Sequence, residues 1–312
     1  MACAALGRRR SRPGPGAGGA GLYLIWRAAH SAAQDRVVRV VRLGPRDGID
    51  INAQLRLEEA LYRGSRHETE VGWLVLNHPG AAQRPTVVLG FSGKIDKLVD
   101  EEQRARAGAG LLRRFSGGGT VVVDRSTVFA SWLLSTALLP HVKPFPKPIM
   151  AWSGDFYAAA FRRAGLAALQ LRADDYVVGD LKVAGNAQAI SGDRWLHHTS
   201  FLYDFDDQLM RVLRKPPKQP EYRADREHDA FLRRLKTALP RDVHSEADPD
   251  AGPRSVLDAF ETEALDHFAS LGVRVERASW NDALAYAAAR PSERQATRWE
   301  VEPPSEPPTS AQ

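Results

Sequence analysis

Strand-forming runs in this chain come in groups, with no helix-length stretch inside a group. Residues 72–76 and 86–89 form one pair, and 120–123 and 127–134 a second. Residues 175–178, 182–190 and 195–202 form a triplet. Each run is rich in β-branched or aromatic residues, and Gly- or Pro-bearing turns separate most of them. Parallel neighbours need a crossover of about a dozen residues or more, whereas short turns join antiparallel ones. The grouping therefore predicts an α+β fold: a mixed, largely antiparallel sheet packed with helices, not a doubly wound sheet.

Helical spacing predicts helices over 52–63, 150–163, 205–213, 225–239, 255–271 and 279–289, with a helix-prone stretch at 96–104. Asn52 is the candidate N-cap of the first. Pro144, Pro146 and Pro148 read as an extended connector. Residues 241–253 read as a polar linker and 273–276 as a short strand. The expected organisation is a main domain over 35–240, a short α/β extension over 241–290, and a disordered Pro/Ser/Glu-rich tail over 291–312.

The formal charge of +5 comes from 43 basic and 38 acidic residues, but it is not spread evenly. Residues 1–34 hold five arginines (Arg8, Arg9, Arg10, Arg12 and Arg27) and no acid. Without them 38 basic residues face 38 acidic ones, so the body is electrically balanced. This argues against nucleic acid as a partner, which calls for excess cation on the domain itself. An acid-free, arginine-bearing leader has the composition of a transit peptide. Scarce serine favours the mitochondrion over the chloroplast, and a disordered tail is the plain alternative. The longest charge-free apolar run, 126–142, is broken by Pro140 and His141 and falls short of a membrane span. The one cysteine, Cys3, leaves the body without disulfides or thiolate-zinc sites.

Three segments carry chemistry. The first, RRFSGGGTVVVD, runs over 113–124. Gly117, Gly118 and Gly119 leave backbone N–H groups unobstructed ahead of a strand, a shape that can cradle an anion. Arg113 and Arg114 add fork-shaped donors. The segment is neither G-x-G-x-x-G opening a helix nor a P-loop, and a Gly-rich turn with solvated arginines is the bland alternative. The second, DDYVVGDLKVAGNAQ over 174–188, sets Lys182 at the start of an apolar strand among small residues. It can serve a phosphate as a point charge or simply snorkel to water. The third is His197-His198-Thr199-Ser200. Adjacent histidines on a strand point to opposite faces and make poor joint ligands, so no protein metal site is expected.

In this order and spacing the segments resemble the lipoate-protein ligase A family of the biotin/lipoate ligase superfamily, in a plant- or algal-like organellar form. RRFSGGGTVVVD resembles the family's RRxSGGGxVxxD, GDLKVAGNAQ its GxxKxxGxAQ, and WLHHTSFL its HHxxxL; the likeness spans about residues 50–240. The resemblance implies a biotin/lipoyl-ligase-like domain related in fold to class II aminoacyl-tRNA synthetases. It implies activation of lipoate by ATP, with Mg2+, to lipoyl-adenylate. The lipoyl group would then pass to a lysine of the 2-oxo acid dehydrogenase acyltransferase subunits or of the glycine-cleavage H protein. Lys182 matches the catalytic lysine. Arg113, Arg114, Ser116, Gly117, Gly118, Gly119, Thr120, Val121, Val122 and Asp124 match the ligand loop. Asp175, Gly185 and Ala187 lie in the lysine segment, and His198 matches the second histidine of its strand. The family usually has Asn where Asp174 stands.

Relatives that carry the acyl group on cysteine need a thiol that this body lacks. Few residues remain after 240 for the accessory domain of bacterial single-chain ligases. A transferase using preformed acyl-adenylate is therefore the alternative enzyme, and a non-catalytic lipoyl-binding module the alternative of another class.

Overall fold

Residues 37–43 read VVRVVRL, a run with no clean two-residue alternation. In the computed structural model they form a strand enclosed between two parallel neighbours. The structure describes residues 36–304 except Glu246, and the expected transit peptide lies outside the described residues. Strand β1 (Val37–Leu43) was not anticipated, because a strand covered on both faces loses the alternation that marks a half-exposed one. Its arginines are accommodated at the rims. Arg39 lies over the rings of Trp73 and Tyr286, and Arg42 reaches Asp258 and Glu261.

Eight strands form the main sheet in the order β11-β1-β2-β6-β10-β9-β8-β7. They are β2 (Val71–Asn77), β6 (Thr127–Ser135), β7 (Leu169–Arg172), β8 (Asp175–Val178), β9 (Leu181–Ser191), β10 (Arg194–Leu202) and β11 (Arg274–Ala278), with β1. β1 runs parallel to β2 and β11, and the other pairings are antiparallel. A second sheet has the order β12-β4-β3-β5, from β3 (Thr86–Leu89), β4 (Gly110–Arg113), β5 (Val121–Val123) and β12 (Arg298–Val301). The expected α+β class and mixed, largely antiparallel sheet are what the chain adopts.

Four longer helices cover the main sheet. α1 (Ile51–Gly64) and α4 (Trp280–Ala288) bury Leu57, Leu61, Ala283 and Tyr286 against β1, β2 and β6. α2 (Pro146–Arg163) and α3 (Ala251–Ser270) bury Trp152, Phe156, Tyr157, Phe260 and Phe268 in another cluster, with Trp132, Trp195 and Phe201. Side chains alternate along β10. Trp195, His197 and Phe201 are fully buried, Trp195 and Phe201 within the α2–α3 cluster, while His198 and Ser200 line cavities described below.

Several expectations need correction. The N-cap of α1 is Asp50, whose carboxylate accepts the Ala53 N–H at 2.8 Å; Asn52 lies inside the helix. α2 begins at Pro146, not after the prolines, because Pro is tolerated in a first turn whose N–H groups lack partners. The helix expected over 205–213 is the single turn Asp207–Met210. That expected over 225–239 is reduced to the turns His228–Phe231 and Leu235–Thr237. Ala224 and Asp225 both adopt left-handed backbone, and Leu232 is drawn into a β-bridge with Lys182, so tertiary pairing overrides helical spacing.

The boundary expected at 240 is not one in the packing, since β11 joins the main sheet beside β1 and α3 supplies core residues. Nor is all of 291–312 a loose tail. β12 pairs with β4, and the buried Glu59 carboxylate accepts the N–H groups of Ala296 and Thr297, both at 2.8 Å. Residues 305–312 lie outside the described residues.

Candidate active site

The glycine segment links β4 to β5, and its shape is set by Arg114. This guanidinium is 3% exposed. Four hydrogen bonds occupy it: Nε donates to Ser116 Oγ (3.1 Å), Nη1 to the Val88 carbonyl (3.2 Å), and Nη2 to the carbonyls of Gly117 (2.9 Å) and Gly119 (2.6 Å). No carboxylate of the described residues pairs with it. Burial lowers its pKa to about 10, so it stays charged at neutral pH. A buried cation ringed by neutral acceptors is electrostatically suited to an anion. Gly118 has φ +98°, and a Cβ there would lie 2.9 Å from that of Ala187, so the loop sits flush on β9.

Ser116 carries the network onward. Its Oγ lies 2.9 Å from His198 Nε2, and His198 Nδ1 lies 2.9 Å from Glu58 Oε2. Glu58 is fully buried, and its other oxygen accepts Gln54 Nε2 at 2.7 Å. Gln54 Oε1 in turn accepts Asn77 Nδ2 at 3.0 Å. Of these residues His198, Glu58 and Gln54 line a narrow cavity of about 40 Å³, together with Arg114, Ile51, Leu55, Val88, Val121, Val123 and Phe129. Ala187 and Gly185 also face it.

Beyond Val121 and Gly185 lies a wider cavity of about 240 Å³. Gly119, Thr120, Val121 and Val122 form one wall, Lys182 and Asp175 another, and residues between 213 and 232 a third. Lys182 Nζ lies 2.5 Å from Asp175 Oδ1, while Asp175 Oδ2 accepts the Tyr222 hydroxyl at 2.7 Å. Desolvation, then the Asp175 charge, raises the Tyr222 pKa, so it stays a donor. The Arg233 N–H donates to the Lys182 carbonyl at 2.8 Å, which binds the third wall to β9. Val121, Gly185 and Ser200 line both cavities. A Cβ on Gly185 would lie 2.5 Å from Val121 Cγ1, so glycine keeps the junction clear.

The structure thus brings together Arg114, Ser116, Gly117, Gly118, Gly119, Thr120, Val121, Val122, Asp175, Lys182, Gly185, Ala187 and His198. Two candidates stand apart. Arg113 braces the 90–93 turn through the carbonyls of Gly90, Phe91 and Gly93 and pairs with Glu300 at 2.5 Å. Asp124 closes the β5–β6 turn by accepting the Ser126 N–H at 2.8 Å. Neither lines a cavity described above. Sequence reading missed Glu58, whose signal was available: it stands three residues from both Leu55 and Leu61, on the apolar stripe of α1. It also missed Tyr222 and Arg223, which lie between the helices expected over 205–213 and 225–239.

A glycine loop with a buried cation, a lysine on β9 and a largely apolar recess thus lie side by side. The family model of the lipoyl protein ligase A/B catalytic domain matches residues 50–261, more than half of the chain. The chain belongs to this family. Among relatives of this lipoyl ligase family, "Inactive lipoate--protein ligase 2" of Plasmodium falciparum is 27% identical over 62% of this chain and 62% of its own length. A Saccharomyces cerevisiae relative is 29% identical over 45% of this chain and 33% of its own length. The chain therefore spans less than two thirds of these relatives.

Solved lipoate-protein ligases share the fold. The bi-partite lipoate protein ligase of Thermoplasma acidophilum, described with its E2 lipoyl domain, aligns with TM-score 0.59 and 18% identity, over 80% of this chain and 91% of that one. A lipoate-protein ligase A bound with ATP aligns with TM-score 0.57 and 16% identity, over 82% and 93%.

Proposed function

We propose that this protein is a lipoate-protein ligase that activates lipoate with ATP and transfers the lipoyl group to a lysine of an acceptor domain. One observation carries the reading: the inner, largely apolar cavity adjoins the Lys182 cavity, the two sharing Val121, Gly185 and Ser200 in their walls. An acyl chain in the first would present its carboxylate in the second, where Lys182 and the Gly119–Val122 backbone favour phosphate. A carboxylate oxygen would attack the α-phosphorus, and pyrophosphate would leave with the electron pair of the broken P–O bond. The acceptor amine would then attack the acyl carbon. The C–N bond forms, AMP leaves, and the amine releases a proton to solvent. Mg2+ would arrive with the triphosphate as part of that substrate.

Lys182 would bridge the carboxylate and the α-phosphate, with Asp175 holding its ammonium in place. The body has no cysteine, so a cysteine thioester is not open to it. The acceptors proposed are lipoyl domains of 2-oxo acid dehydrogenase acyltransferase subunits and the glycine-cleavage H protein.

The test incubates the purified protein with MgATP, lipoate and apo H protein and reads the acceptor mass. A gain of one lipoyl group supports the ligase. A gain only with synthetic lipoyl-adenylate would replace it with the transferase. No gain with either would make it a lipoyl-binding protein without the reaction, in line with the name of the Plasmodium relative.

A further inference from the structure

Arg223 lines the wider cavity at 4% exposure, and its Nη2 is buried with no hydrogen-bond partner. An unpaired guanidinium N–H away from water is costly, so its retention calls for a partner that completes it. Its Nε donates to the Arg226 carbonyl at 2.9 Å, and its guanidinium lies 4.7 Å from the Phe231 ring centre. Burial lowers its pKa from the ordinary guanidinium value; Glu227, Asp175 and Asp225 oppose this from a distance, but each carboxylate is engaged elsewhere. Asp175 holds Lys182 and Tyr222, Glu227 holds Lys215 at 2.8 Å, and Asp225 holds Lys215 and Gln219. Among the described residues no carboxylate forms an ion pair with Arg223.

The backbone keeps the group where it is. Ala224 and Asp225 follow at φ +50° and +57°, two consecutive non-glycine residues in the left-handed region. Arg226 clamps the turn, donating from Nε to the Arg223 carbonyl (3.0 Å) and from Nη2 to the carbonyls of Tyr222 (3.0 Å) and Asp180 (3.1 Å). Arg214 and Lys218 line the same wall. These cations line only the wider cavity, not the narrow one that shares Val121 and Gly185 with it.

We infer that Arg223 is a further phosphate-binding residue of this protein: its guanidinium, which lines the wider cavity and is paired with no carboxylate of the described residues, receives an oxygen of the pyrophosphate portion of the nucleotide, the part that leaves on adenylation. The inference rests on the ligase reading and adds to it a residue that serves activation and not transfer, because an acyl-adenylate retains only one phosphate.

The experiment is calorimetric titration of the whole protein, wild type and Arg223→Ala, with inorganic pyrophosphate and separately with AMP. Pyrophosphate affinity should fall about tenfold or more in the variant, as loss of a charge-assisted contact requires, while AMP affinity changes less than about threefold. Arg223→Lys keeps the charge without the fork and should fall between. It carries the comparison if circular dichroism shows the alanine variant unfolded. Equal pyrophosphate affinity in wild type and variants overturns the inference, as does absence of pyrophosphate binding by the wild type or equal weakening toward both ligands. Arg223-dependent pyrophosphate binding by a protein that never modifies an apo acceptor would leave the phosphate site standing and remove the ligase reading. Lipoylation with no Arg223 dependence would do the reverse.

Discussion

Lys182 Nζ and Asp175 Oδ1 are 2.5 Å apart on adjacent strands of the sheet, where Asp175 is buried and Lys182 faces the wider cavity. The pair fixes one ammonium at the place where a carboxylate and a phosphate would meet.

Lys182→Ala is expected to lower lipoyl transfer to an apo acceptor by about two to three orders of magnitude, as loss of a positioned transition-state cation does. A quarter-exposed side chain contributes little packing, but its loss leaves the buried Asp175 carboxylate to Tyr222 alone, so the melting temperature should fall by several degrees while the chain stays folded. Acceptor mass spectrometry and thermal unfolding read the two quantities, and an active Lys182→Ala protein would sink the assignment.

Gly185→Ala places a methyl 2.5 Å from Val121 Cγ1 and 3.3 Å from Ser200 Oγ, at the junction of the cavities. Relief requires β5 to move away from β9. The expected cost is about 1–3 kcal/mol of stability, with loss of both lipoate and nucleotide binding. Denaturant unfolding and titration with each ligand check it, and unchanged binding would show that the junction is not where the ligands meet.

His197 is buried among Tyr176, Gln188 and Thr199, and burial, aided by the neighbouring His198, lowers its pKa to about 3. Below the ordinary value of 6.5 the unfolded chain takes a proton that the folded chain refuses. Stability from this group is therefore complete above about pH 6.5 and is lost as pH falls toward 3, at about 1.4 kcal/mol per unit. Burial lowers His228 to about 4, which adds loss of the same sign. Urea unfolding at pH 7.5, 6 and 5 should show a drop for the wild type that is smaller in His197→Gln. Equal slopes would contradict the assignment.

Glu59 holds the approach to β12 by accepting two backbone N–H groups and pairing with Arg63 at 2.8 Å. Glu59→Ala leaves those donors without their acceptor and should destabilise by about 2–4 kcal/mol. Cleavage near residues 290–297 in limited proteolysis should quicken before the rest of the chain is attacked. A protease pattern like the wild type would show that strand pairing alone holds the segment.

The site was more legible in the sequence than parts of the fold that carry it. Gly117–Gly119 and Lys182 stood out as residue types able to cradle or pair an anion, and His198 through the family resemblance. Arg113 and Asp124 share the same motif, yet they brace turns, since a motif records neighbours along the chain and not the direction a side chain takes. Glu58 was legible in principle as a carboxylate on an apolar stripe. Arg223 was not, because its burial arises from the left-handed turn at Ala224 and Asp225 and from packing on Phe231, which no local pattern announces. β1, β4 and β12 escaped for a related reason: their partners are far away in sequence.

The link between Arg113 and Glu300 has a consequence for the order of folding. Arg113 ends β4, just before the glycine loop, and Glu300 lies within β12. Strands β11 and β12 likewise close onto β1 and β4, the far end of the chain meeting the near end. Contacts of such long sequence separation slow folding and form late. On a ribosome Arg113 acquires this partner only after residue 300 has emerged, so a nascent chain halted earlier would hold the 90–93 turn by an arginine without its carboxylate.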